Sequence, residues 1–128
     1  MKATELMIGD KVMVKVLSQI PNTYVLHTWT ANDYSRDIQV KPIPLTAEIL
    51  EKDGWERDID KEWEYNNSHI LPHYCYQWEK RNVKIEMYSG LEGFTISLII
   101  GRRFYAVHEL QHVLRLYGLD ELADNFKI

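Results

Sequence analysis

Tyr74-Cys75-Tyr76-Gln77-Trp78-Glu79, Val83-Lys84-Ile85-Glu86-Met87 and Phe94-Thr95-Ile96-Ser97-Leu98-Ile99-Ile100 each put an apolar or aromatic side chain at every second position. In an extended chain successive side chains point to opposite faces, so each segment gains one apolar face. Arg81-Asn82 and Ser89-Gly90 supply turn chemistry between them, and Gly101 ends the third. The pattern predicts an antiparallel meander over residues 74–106, with Phe104-Tyr105 as a short fourth strand.

Downstream the period changes. Ala106, Leu110, Val113, Leu114 and Tyr117 recur at helical spacing, and Gly118 follows as a stop. A C-terminal helical segment is expected over residues 107–126, continuing past Gly118 for a turn or two. Its apolar stripe is expected to pack on the greasy face of the meander.

Upstream, Ile8-Gly9-Asp10 reads as a turn into a strand in which Val12, Val14 and Val16 alternate with Lys11, Met13 and Lys15. Residues 24–30 and the pair Ile38 and Val40 suggest two more short strands, the last stopped by Pro42 and Pro44. Three short strands with tight turns suggest an SH3-like β unit over residues 1–42. Thr46 is a good N-cap, Glu48 suits the first turn of a helix, and Gly54 suits its end, giving a short helix over 45–54. Residues 55–73 read as irregular, with Asn66-Asn67-Ser68 turn-like and Pro72 disfavouring a helix across His69 and His73. The expected fold class is α+β, one domain over residues 1–128.

One segment carries a chemical motif. His108-Glu109-Leu110-Gln111-His112 has the H-E-x-x-H spacing. Residues i and i+4 lie one turn apart on a helix, so His108 and His112 could ligate one zinc ion while Glu109 served as general base. Both histidines fall away from the apolar stripe and are expected at the surface. A catalytic zinc needs a third protein ligand, and Arg115 and Gly118 stand where one variant of the motif needs glycine and histidine. Glu121 and Asp124 are the carboxylates left downstream, and Arg115 puts a cation on the same face as His112. The favoured expectation is no catalytic, cofactor or metal site; a zinc site at His108 and His112 with Glu109 as base is the alternative.

The 128 residues and 45% hydrophobic content suit one ordinary core. A single cysteine, Cys75, excludes an intramolecular disulfide and reads as a small buried hydrophobe. Neither a secretory h-region nor a membrane-length apolar run is present, so the cytoplasm is the expected location. A net charge of −4 gives no bulk attraction to nucleic acid, although Lys11, Lys15, Arg36 and Lys41 could form a local basic patch. Tryptophans and tyrosines in a meander belong more often to the core than to a stacking platform.

Three segments resemble a group of small uncharacterised proteins of gut bacteria, often encoded in prophage or other mobile elements. They are residues 5–12 (ELMIGDKV), residues 42–55 (PIPLTAEILEKDGW) and residues 105–112 (YAVHELQH). The resemblance implies a shared fold and carries no established activity. It also implies that His108, Leu110 and Gln111 recur while Glu109 and His112 vary, which suits packing and capping better than metal ligation. The expected function is a non-enzymatic binding module of a phage-like or mobile-element protein, its partner a macromolecule and in the first place a protein. A zinc-dependent hydrolase and a nucleic-acid-binding module are the alternatives.

Overall fold

The computed structural model describes residues 5–17, 23–59, 75–80, 83–90, 93–96 and 103–128. Its architecture is α+β, and the chain divides into two compact units. One comprises residues 1–44 and 106–126; the other comprises residues 45–105 and 127–128.

In the first unit, β1 (Lys11–Val16) is the central strand of an antiparallel sheet ordered β2-β1-β3. β2 (Val25–Thr28) pairs with it from Lys11↔Thr28 to Val14↔Val25, and β3 (Ile38–Lys41) from Met13↔Lys41 to Val16↔Ile38. The valine alternation works as expected: Val12 and Val14 are buried with Leu6 and Trp29, and Ile38 and Val40 pack against that cluster. Gly9, at φ +95°, turns the chain into β1 and is clamped by Gly9 N–H to Trp29 C=O and Trp29 N–H to Asp10 C=O, both 2.8 Å.

Residues 31–35 form a 3-10 turn between β2 and β3, organised by Asp33. Its buried carboxylate accepts from the Thr30 backbone and hydroxyl, from His27 Nε2 at 2.7 Å and from Arg36 at 3.0 Å. Burial opposes ionisation there, but these donors outweigh it and hold the carboxyl far below its ordinary value. The unit is completed by α2 (Val107–Leu116) and α3 (Asp120–Asp124). Val107, Leu110, Val113 and Leu114 form the buried stripe of α2; Tyr117, expected within it, is 43% exposed just past the helix end.

In the second unit, α1 (Ala47–Asp53) begins where Thr46 Oγ1 accepts the Ile49 N–H and ends at Gly54, φ +106°. β4 (Glu56–Arg57), β5 (Cys75–Lys80), β6 (Val83–Gly90) and β7 (Gly93–Ile96) form an antiparallel sheet in chain order. The meander is therefore present, with Trp78↔Ile85 and Met87↔Ile96 in register. Its extra strand differs from expectation. Phe104 makes only a single bridge to Phe94, whereas residues 56–57, read as irregular, pair with β5 at Glu56↔Gln77. A two-residue strand is too short to show alternation, and its charged side chains hide it. The turn-like 66–68, His69 and His73, and Leu98 to Gly101 lie outside the described residues. Among the described residues, no helix is long and apolar enough to cross a membrane.

Candidate functional site

The H-E-x-x-H segment occupies the first turn and a half of α2. Glu109 is turned back on the helix start, where its Oε1 accepts the Ala106 N–H at 3.1 Å. Helix N-termini leave such donors unsatisfied, and an acidic side chain at the third position meets that need.

His112 faces Asp10. Its Nε2 lies 2.5 Å from Asp10 Oδ2, and Arg115 Nη1 lies 2.5 Å from Asp10 Oδ1. The Met7 N–H adds a third donor to Oδ2 at 2.8 Å. Asp10 has no solvent exposure. Burial pushes its pKa up, but the bonds from His112, Arg115 and Met7 outweigh burial and hold it below 3.8. Asp10 is thus an ionised acceptor, so the Nε2 of His112 must carry the proton. A metal could take that nitrogen only by displacing the carboxylate. Arg115, read from the sequence as a cation opposing zinc, also binds Asp124 Oδ1 at 3.1 Å.

His108 is 7% exposed, which corrects the expectation of two surface histidines. It is buried on the side of α2 that also carries Gln111 and His112, and its ring meets that of His112 edge to face at 5.5 Å between centroids. Its Nδ1 is buried without a hydrogen-bond partner among the described residues. Burial first, and then His112, lower its pKa below 6.5, favouring the neutral ring. Among the described residues, no group of three His, Cys, Asp or Glu is placed to hold a metal ion.

Between the histidines, Gln111 is fully buried and stitches three segments together. Its Oε1 accepts the Lys11 N–H at 2.8 Å, and its Nε2 donates to the Gly9 and Ala123 carbonyls at 3.0 and 2.8 Å. Sequence reasoning missed Asp10 and Gln111 as a hub. Asp10 was legible only as a turn residue, and its partner lies 102 positions away.

The four basic residues read as able to form a local patch separate. Arg36 is engaged by Asp33. Lys11, Lys15 and Lys41 share the face of the first sheet opposite Val12 and Val14, as the register requires. Lys15 and Lys41 Nζ stand 5.1 and 5.0 Å from the centroid of the Tyr24 ring, whose hydroxyl donates to Gln39 Oε1 at 3.4 Å. Lys11 Nζ donates to Thr28 Oγ1. Met13 and Leu26 pair across the middle of this face, with Leu26 49% exposed. Cys75 is buried in β5, as a small hydrophobe would be.

Compared with family models, curated proteins and solved structures, the chain matches none of them.

Proposed function

We propose that the chain is a non-enzymatic binding module for a macromolecular partner. The observation that carries the reading is the commitment of the motif side chains to the fold. Glu109 accepts a helix N-terminal N–H, His112 donates to a buried aspartate, and Gln111 holds three backbone groups. A hydrolytic base must face a metal-bound water, and a zinc-ligating nitrogen must present a lone pair. The bonds made by Glu109 and His112 oppose both. The partly apolar outer face of the first sheet, with Leu26 49% exposed, offers a binding surface. A cytoplasmic setting and kinship with the gut-bacterial mobile-element group, SH3-like β unit included, belong to the same reading.

The test is metal content and turnover of untagged protein. The reading expects substoichiometric zinc and no cleavage of a fluorescent peptide library. It also expects Glu109→Gln to alter stability by about 1 kcal/mol or less, as for a weakened cap. Stoichiometric zinc with hydrolysis abolished by Glu109→Gln would establish the hydrolase instead.

A further inference from the structure

Resting on the binding-module reading, we infer that the outer face of the β2-β1-β3 sheet binds single-stranded nucleic acid. Of the paired strand residues on this face, Lys11, Lys15 and Lys41 are cationic and none is a carboxylate; Asp37, whose carbonyl accepts the Leu17 N–H just before β3, adds a carboxylate at its edge. The chain as a whole carries a net charge of −4, so this positive face is a local segregation against the bulk. Such segregation is the electrostatic footprint of a polyanion partner.

The choice among polyanions comes from what lies between the charges. Tyr24 is held under Lys15 and Lys41, and Leu26 and Met13 lie side by side at the centre of the sheet. Lysine side chains are long and flexible enough to leave the ring for a phosphate while the aromatic face meets a base. Duplex presents phosphates but keeps its bases stacked inside, leaving Tyr24, Leu26 and Met13 without a partner. An acidic peptide would satisfy the lysines without any need for the ring. Unstacked bases with a phosphate backbone satisfy both sets of groups at once.

The experiment is fluorescence anisotropy of fluorescein-labelled dT15 and rU15 at 50 to 200 mM salt. A 15-base-pair duplex and poly-glutamate serve as competitors. Three lysine–phosphate contacts give a slope of about −2 in log K against log salt for a single strand. Lys15→Gln with Lys41→Gln should flatten that slope by about 1.4. Tyr24→Ala should weaken binding about tenfold through lost stacking. Lys41 is exposed, so Lys41→Gln alone supplies a well-folded variant if Tyr24→Ala is destabilised. Absence of binding at 100 μM protein and 50 mM salt overturns the inference. So does binding indifferent to the lysine substitutions, or competition by duplex or poly-glutamate as effective as by single strands. None of these results bears on zinc or turnover, so the inference can fail while the binding-module reading stands.

Discussion

Replacing Asp10 with asparagine keeps the shape of the side chain and removes its charge. Asp10 is fully buried and accepts from Met7, His112 and Arg115. Hydrogen bonds to a charged group contribute about 1.5–3 kcal/mol each, and breaking a buried ion pair costs about 3–5 kcal/mol. Two features reduce the cost here: Arg115 keeps Asp124 as a second partner, and His112 is partly exposed. The amide also retains one acceptor oxygen. A loss of about 3 kcal/mol is therefore expected for Asp10→Asn at pH 7. With a urea m-value of about 1.5 kcal/mol/M, the midpoint should fall by about 2 M. Far-UV circular dichroism and tryptophan fluorescence, with Trp29 in the same unit, both read it. The pH dependence adds a sign. The folded pKa of Asp10 lies below 3.8, so its stabilisation is present above that value and is lost as pH falls through the folded pKa. The gap between wild type and variant should therefore close below pH 3.8. A loss under 0.5 kcal/mol, or a gap that widens in acid, refutes the reasoning.

Gln111→Leu leaves the Lys11 N–H and the Gly9 and Ala123 carbonyls without their side-chain partner, at a cost of about 3 kcal/mol and about 10 °C in Tm by calorimetry. Asp53 is buried against the Trp55 indole and the Lys127 N–H; desolvation raises its pKa to about 6, more than the bonds lower it. Its folded state therefore binds the extra proton between pH 3.8 and 6. Wild type should lose about 2–3 kcal/mol relative to Asp53→Asn as pH rises across that window, measured by urea unfolding at successive pH values. Thr46→Ala removes the acceptor for the Ile49 N–H and should cost about 1 kcal/mol, read as faster amide exchange in α1.

The elements legible in the sequence were those with a long enough period. Val12 and Val14 located β1, Leu110 to Leu114 located α2, and Thr46 with Gly54 bracketed α1, because each signal is local. β4 escaped because two charged residues show no period. The site was harder. The H-E-x-x-H spacing correctly put both histidines on one helix, but spacing says nothing of what the helix faces. Asp10, supplied from the far end of the chain, decides the state of His112, and burial next to His112 decides that of His108. Charge counting likewise could not separate Arg36, held by Asp33, from the three lysines that share a sheet face.

Isothermal titration of zinc into untagged protein at pH 7, with Asp10→Ala and His112→Asn alongside, tests the central claim most directly. With His112 donating to a buried carboxylate and Glu109 capping its own helix, wild type should show no one-to-one site tighter than about 100 μM and no zinc-dependent rise in Tm. A one-to-one site of micromolar affinity or better, abolished by His112→Asn, would contradict the claim.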